Sequence, residues 1–248
     1  MKKLILHIPH ASTNIPLIDG YSVAEDFLKS EILKLTDWYT DDLFRNKIDE
    51  AIIAPFSRIF CDVERFSDDN KEVMAKFGMG VLYEKADTGE AIRKVSLELR
   101  NKILQEYYWK HHNNLTLAVN NQLDKFGKAL IVDCHSFPNI PLIRSLDQTP
   151  NRPDFNIGTD SFHTPQNLIE ASTAFFKQKG YTLGIDWPYS GTIVPMEHYN
   201  KNKKVNSIML EINRKLYLNE PGNEKSNQYG IIKKITQEYL DTISHAFQ

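Results

Sequence analysis

The chain has 248 residues, a formal net charge of -2 and 25% charged residues. This length is enough for one large α/β domain with a substantial core, and no linker divides it, so we expect a single domain over 1–248. No basic tract is present, which argues against nucleic acid or an anionic membrane as a partner and favours a small molecule.

The N-terminus and the cysteines bear on the compartment. Two lysines precede an apolar run, as in a signal peptide, but His7, Pro9 and His10 interrupt that run. It is too short for a signal core or a membrane span. Cys61 and Cys134 are the only cysteines, and we interpret them as small buried thiols of a reducing compartment. We therefore expect a cytoplasmic protein.

Strands and helices alternate along the first half of the chain. Residues 3–8 are predicted to form the first strand, and apolar positions at helical spacing predict a helix over 22–35. Residues 37–44 begin a second helix, with Asp37 as a candidate N-cap. The next predicted elements are a strand over 51–56 that 57–65 continues or follows, a polar surface excursion over 66–78, a short strand over 79–84, and a kinked helix or helix pair from near Ile92 to about Phe126.

The second half continues this alternation. The buried strand residues 129–132 lead into a polar cluster, and a proline-rich loop is expected over 138–165; so long a loop inside a compact domain is usually functional. Thr164 as N-cap, Pro165 at the first position and Gly180 as the stop predict a helix over 164–180. Strands over 181–186 and 205–213 and a closing helix within 223–247 complete a three-layer α/β/α sheet.

Three apolar strands end in polar clusters, which contain His10, His135 and Glu211. Ligands in open α/β sheets lie just outside the carboxyl ends of strands, so these ends are candidate site positions. Two histidines and a carboxylate are enough for an open zinc site with one position left for water. A single histidine is more often a structural residue than a ligand, so the prediction depends on the three strand ends together.

An arginine-rich edge accompanies these strand ends. Arg58, Arg65 and Arg214 carry guanidinium groups, whose planar fork matches a carboxylate and is the usual anchor for an acidic ligand. The alternative is that these arginines form ordinary structural ion pairs with nearby carboxylates, namely Asp62, Glu64 and Asp133.

Two further segments offer groups to a bound substrate. Residues 186–195 form a turn by composition, with the hydroxyls of Tyr189 and Ser190 and a flexible backbone at Gly191. His163, in residues 158–165, could point into the cleft. A plain turn and a simple helix entry are the alternatives.

Seven segments of the chain resemble, in this order, the motifs of the N-formylglutamate amidohydrolase family. That family is similar in fold and site to the zinc carboxypeptidases, with a phosphorylase/hydrolase-like, zinc-exopeptidase-like fold, so the resemblance implies a mixed central sheet between helical layers. The segments are IPHAS (8–12), DWYTDDLF (37–44), SRIFCDVERF (57–66), DCHSFP (133–138), IGTDSFHTP (157–165), PYSGT (188–192) and MLEINR (209–214).

The resemblance also implies roles for individual residues. His10 resembles the first metal ligand, His135 the late ligand that precedes a serine, and Glu211 the general base. Carboxypeptidases have a glutamate three residues after the first histidine, where this chain has Thr13. The resembling segment 37–44 begins with Asp37, which could lie at a helix N-terminus facing the cleft, so the resemblance makes Asp37 our expected third ligand, with Asp41 and Asp62 as alternatives.

The expected activity follows from these roles. We expect a metal-dependent hydrolase, with Zn²⁺ or another divalent ion, that cleaves the amide bond of an N-acylated acidic amino acid; N-formyl-L-glutamate is the best single substrate. Arg58 and Arg65 resemble the arginines that hold the substrate carboxylates, and Tyr189 and Ser190 would hold the acyl end. The alternatives are a carboxypeptidase-like or other N-acyl amino acid hydrolase, and a non-catalytic protein that binds small anions.

Overall fold

A computed structural model describes residues 3–248, so Lys2 of the N-terminal lysine pair lies outside the described part. Six strands form one sheet in the order β2-β1-β3-β6-β4-β5. The strands are β1 (Ile5–Ile8), β2 (Glu50–Ile53), β3 (Ala129–Phe137), β4 (Phe155–Gly158), β5 (Leu183–Ile185) and β6 (Val205–Asn213).

The sheet is mixed, as expected. Strand β4 runs antiparallel to β6, and the other neighbouring pairs are parallel. The carboxyl ends of β1, β3 and β6 therefore meet at one edge of the sheet. In the register of β3 and β6, His135 lies directly beside Glu211.

Helices cover both faces of this sheet, which confirms the α/β prediction. The helices are α1 (Glu25–Leu35), α2 (Thr40–Phe44), α3 (Leu97–Ile103), α4 (Trp109–Phe126), α5 (Gln166–Lys179) and α6 (Tyr229–Ala246). Leu6 and Val132 pack with the apolar residues of α5 and α6, whereas Ile5 and Ile131 pack with those of α4. Because side chains alternate along a strand, these two sets belong to opposite faces.

The long helical prediction is confirmed in its kinked form. The side chain of Ser96 accepts a hydrogen bond from Leu99 N and caps α3. Wide π-helical turns over Leu104–Tyr108 then join α3 to α4, and Gly127 ends α4 with a left-handed backbone (φ 73°). An inserted π-turn is a recognised cause of a helix kink.

Two boundary predictions were wrong. Residue 37 does not cap α2: Tyr39, with φ 62°, precedes the helix, and the Asp37 carboxylate bonds Arg214 instead. Thr164 does not cap α5, since Pro165 holds the N-cap position and the Thr164 hydroxyl donates to the carbonyl oxygen of Ser207. In both cases a tertiary hydrogen bond occupies the side chain that local spacing had assigned to a cap.

Two strand assignments also differ from the sequence prediction. The loop expected over 138–165 contains β4, whose four residues are all buried against the core. The expected strand over 79–84 is absent from the described sheet, and that segment shows only an isolated bridge between Met79 and Tyr83. The segment 57–65 follows β2 as turns.

The prediction of two small buried thiols is confirmed. Cys61 and Cys134 are free and buried. Among the helices of residues 3–248, none combines the length and apolar character that crossing a bilayer requires.

Candidate active site

Three buried side chains from separate segments meet at the carboxyl end of the sheet. His10 follows β1, Asp37 precedes α2 and His135 lies near the end of β3; a backbone hydrogen bond of 3.0 Å from Asp37 N to His10 O joins the first two segments. Asp37 Oδ2 lies 3.2 Å from His135 Nδ1 and 3.6 Å from His10 Nδ1. We call these three residues the ligand triangle.

The spacing of the ligand triangle fits a metal ion. Tetrahedral zinc with bonds of about 2.0–2.1 Å separates neighbouring ligand atoms by about 3.3 Å, which lies between the two distances above. His10 Nδ1 is buried and has no hydrogen-bond partner within residues 3–248. Two imidazoles and one carboxylate are a donor set that zinc accepts, and they leave a fourth position open.

Two carboxylates behind the triangle orient its imidazole rings. Asp62 Oδ1 lies 2.8 Å from His10 Nε2, and Asp133 Oδ1 lies 3.0 Å from His135 Nε2. With the Nε2 proton donated to these carboxylates, each ring presents Nδ1 to the centre of the triangle. Carboxylate–histidine pairs of this kind fix the tautomer and raise the basicity of metal ligands.

Asp37 remains ionised in this buried place because cationic and polar groups surround it. Arg214 Nη2 donates to Asp37 Oδ1 at 2.9 Å, and Ser136 N donates to Oδ2 at 3.3 Å. Burial raises the pKa of Asp37, but its interactions with His10 and His135 and the charge of Arg214 outweigh it and hold the pKa well below its usual range. The carboxylate is therefore available as a ligand.

Glu211 differs from the other carboxyl groups of the site. It is only 6% exposed, and its Oε2 lacks a hydrogen-bond partner among the described residues. Burial raises the pKa of Glu211 to about 8, although the positive charge of His135 opposes this shift. A carboxyl group with a pKa near neutrality is suited to accept and return a proton.

The ligand triangle and Glu211 line one cavity of about 180 Å³. Arg58 and Arg65 also line it, and they differ in how firmly they are paired. Arg58 donates to Asp62 Oδ2 through Nε (3.2 Å) and Nη2 (2.9 Å), so its charge is committed to a structural pair. Arg65 Nε comes no nearer than 3.6 Å to Asp62, and it has no hydrogen-bond partner in the described part of the chain.

The remaining expected substrate residues divide into two groups. Tyr189 and Ser190 line the cavity. Gly191 lies beside them with a left-handed backbone (φ 86°) but is not part of the cavity wall. His163 does not face the cavity: its Nδ1 donates to Val205 O at 2.7 Å, and its Nε2 accepts from Asn200 N at 2.9 Å. The histidine at the entry to α5 is thus a structural residue, which was the alternative interpretation of that segment.

The alternative third ligands lie outside the triangle. Asp41 is exposed on α2, and Asp62 bonds the far side of the His10 ring. Sequence reasoning treated Asp62 and Asp133 as candidate arginine partners and missed that they orient histidines. The spacing of Asp133 and His135 was the available signal, since residues two apart on a strand share a face.

Comparisons with known proteins show which family the chain resembles. The sequence model of the N-formylglutamate amidohydrolase family matches residues 2–218. The N-formylglutamate deformylase of Pseudomonas putida is 24% identical over 229 residues, which cover 88% of this chain and 82% of that protein.

Two crystal structures share the fold. N-formylglutamate amidohydrolase from Ralstonia eutropha has a TM-score of 0.84 at 23% identity, and the alignment covers 98% of this chain and 92% of that one. A gene product of Agrobacterium tumefaciens has a TM-score of 0.67 at 17% identity, with 98% and 92% covered. By the extent of the match to the family's sequence model, this chain belongs to the N-formylglutamate amidohydrolase family.

Proposed function

We propose that this protein hydrolyses the amide bond of N-acylated acidic amino acids in a metal-dependent reaction, with N-formyl-L-glutamate as the preferred substrate. The observation that carries the proposal is the ligand triangle facing the same small cavity as the unpaired carboxyl group of Glu211. Membership of the family supports the substrate, and its P. putida member is named for the removal of a formyl group.

His10, Asp37 and His135 would hold the metal, for which zinc is our proposal. A divalent ion bound there would polarise the acyl carbonyl and lower the pKa of a water molecule. The donor set fits, because both imidazoles present Nδ1 to the centre and Asp37 stays ionised.

Glu211 carries the proton in this proposal. Its carboxylate takes a proton from the water whose oxygen attacks the acyl carbon, and it then delivers that proton to the amide nitrogen as the carbon–nitrogen bond breaks. The products are formate and glutamate. Positive charge in the cavity favours the carboxylate form that the first transfer requires.

The arginines and the turn at 186–195 would position the substrate. Arg65 Nε has no hydrogen-bond partner among the described residues, which supports a role for Arg65 in holding a carboxylate, and Arg58 lines the same cavity with a charge that Asp62 partly neutralises. Tyr189 and Ser190 would contact the acyl end from the facing wall. Holding the amide next to the reacting water in this way lowers the entropic part of the barrier.

We also propose a cytoplasmic location and a place in histidine breakdown, where N-formylglutamate would be consumed. The buried, unbridged state of both cysteines is compatible with a reducing compartment.

A substrate panel with and without chelator tests the function. Purified protein should contain stoichiometric metal, hydrolyse N-formylglutamate and lose activity to chelator. Glu211→Gln should keep its metal while kcat falls by roughly 10²–10⁴-fold, the usual contribution of a general acid–base group. Glu197→Gln, at an exposed glutamate, is the matched control and should be unchanged.

Each alternative hypothesis predicts a different result in these assays. Turnover confined to N-acetyl, N-succinyl or dipeptide substrates would favour a carboxypeptidase-like or other N-acyl amino acid hydrolase. Protein without metal that stays inert after zinc is added would favour an anion-binding protein. Near-normal turnover by Glu211→Gln would remove Glu211 from the mechanism.

A further inference from the structure

A second buried cluster lies directly behind the ligand triangle. Asp133 Oδ1 accepts from His135 Nε2 at 3.0 Å and also lies 2.8 Å from His7 Nδ1. His7 on β1 and Asp133 on β3 are register partners in the sheet. The second oxygen of Asp133 accepts from Ile193 N at 3.0 Å, so donors hold both oxygens of this carboxylate.

His7 makes two further contacts, and it is fully buried. Its Nδ1 lies 3.1 Å from Glu64 Oε1, and its Nε2 lies 2.8 Å from His111 Nε2 on α4. Glu64 also lines the cavity of the ligand triangle. The cluster therefore connects Glu64 in the cavity wall and His111 on α4, through His7, to the Asp133 carboxylate that bonds His135.

The distances distinguish this cluster from a second metal site. His7, Glu64 and Asp133 are residue types that bind metals, and their ligand atoms are close enough to do so. However, His7 Nδ1 and Asp133 Oδ1 are only 2.8 Å apart, a hydrogen-bond length that is well below the roughly 3.3 Å between neighbouring ligands of tetrahedral zinc.

A protonated His7 accounts for the contacts of its two ring nitrogens with Asp133 and His111. Burial lowers the pKa of His7, but hydrogen bonds to Asp133 and Glu64 outweigh it and raise the pKa to about 9. Burial and the charge of His7 lower the pKa of His111 well below its usual value. An imidazolium at His7 can thus donate Nδ1–H toward Asp133 and Nε2–H to a neutral His111.

We propose that His7 is a positioning residue for metal binding, which acts through Asp133 on the His135 ring. A fixed Asp133 keeps the Nε2 proton of His135 on the far side, so that Nδ1 faces Asp37. Without the donor at His7, Asp133 can turn away and the His135 ring loses its fixed tautomer. This inference rests on the proposed function only for the presence of a metal.

Two substitutions of His7 separate the relevant contact from the others. The amide nitrogen of asparagine can replace Nδ1, whereas that of glutamine reaches the position of Nε2. His7→Asn therefore keeps a donor for Asp133, and His7→Gln keeps only the contact to His111. Both replacements are polar and of similar size, so they disturb the buried site comparably.

The measurement is the zinc affinity of metal-free protein, by competition with a chromophoric chelator. We expect His7→Gln to bind zinc about 10–100-fold more weakly, which is the usual effect of losing an outer partner of a metal ligand. His7→Asn keeps the donor to Asp133, so its zinc affinity should stay within about threefold of that of the native protein. His198→Gln is the control, because His198 is a buried histidine that bonds Asn120 and makes no contact with the ligand triangle.

Native affinity in His7→Gln, or a larger loss in His7→Asn than in His7→Gln, would overturn the proposal. If His7→Gln does not fold, Asp133→Asn replaces it and should show the same loss of zinc affinity. Unchanged zinc affinity in Asp133→Asn would also overturn the proposal. A native protein that binds no zinc would instead refute the proposed function, so the two failures can be told apart.

Discussion

The general base proposed for this enzyme should destabilise the metal-free protein. Glu211 is buried beside His135, and its Oε2 lacks a hydrogen-bond partner within the described residues. A buried carboxyl group that must ionise without such partners costs folding free energy. Glutamine has the same shape and no charge, so Glu211→Gln should stabilise the metal-free protein at alkaline pH.

The pKa values of Glu211 in the unfolded and folded states give the size of this destabilisation and the pH range over which it develops. Burial raises the pKa of Glu211 from 4.5 to about 8, so the folded state holds a proton that the unfolded state has released. The free energy of unfolding therefore falls as the pH rises from about 4.5 to about 8 and is level above that range. At about 1.4 kcal/mol for each pKa unit, the full loss is about 5 kcal/mol. Glu211→Gln removes this loss.

Urea unfolding in the presence of chelator, followed from pH 5 to pH 9, measures the effect. The stability of the variant relative to the native protein should increase across this range by about 3–4 kcal/mol, the lower value allowing for relaxation around the charge. Titrating groups that do not interact with Glu211 are common to both proteins and cancel in the difference, whereas His135, whose pKa Glu211 raises, does not cancel. Equal slopes for the two proteins would refute the reasoning, because Glu211 would then ionise without a penalty.

Two further substitutions test the substrate arginine and the packing of β4. Arg65→Gln should raise KM for N-formylglutamate more than it lowers kcat, and it should leave zinc affinity unchanged. Steady-state kinetics and a chelator competition measure these two effects. A weakened zinc site would contradict the prediction. Gly158→Ala should destabilise the protein by about 1–3 kcal/mol, as overpacking does, because the added Cβ would lie 2.1 Å from the backbone oxygen of Gly191. Gly230→Ala, which meets open space, is the control in urea unfolding, and equal stability of both variants would exclude the close approach at Gly158.

The strand ends were predictable from the sequence for a physical reason. A parallel sheet brings the carboxyl ends of its strands to one edge, so polar residues that follow buried runs must lie near one another there. This placed His10, His135 and Glu211 at a common edge although they are far apart in the chain. The helix pair before β3 was also predictable, since its apolar stripe recurs every four residues over 99–119.

The contacts between side chains were not predictable in the same way. Arg58 and Arg65 both flank the segment FCDVE, yet only Arg58 forms close hydrogen bonds to Asp62. Strand β4 has only four residues and follows a segment with four prolines, so local patterning does not distinguish it from a loop. Its position depends on pairing with β6, a long-range contact that propensity does not encode.

The charge balance of the site explains why one of its carboxyl groups is suited to proton transfer. Burial raises the pKa of all of them, but histidines and Arg214 beside Asp37, Arg58 beside Asp62 and histidines beside Asp133 hold the pKa of each aspartate well below its usual range. Glu211 has no such hydrogen-bonded cation among the described residues, and its pKa moves the other way. Carboxyl groups whose environments push their pKa values apart take different chemical roles. In the proposed mechanism the three aspartates therefore serve as anions for binding and orientation, and Glu211 alone of the four exchanges a proton.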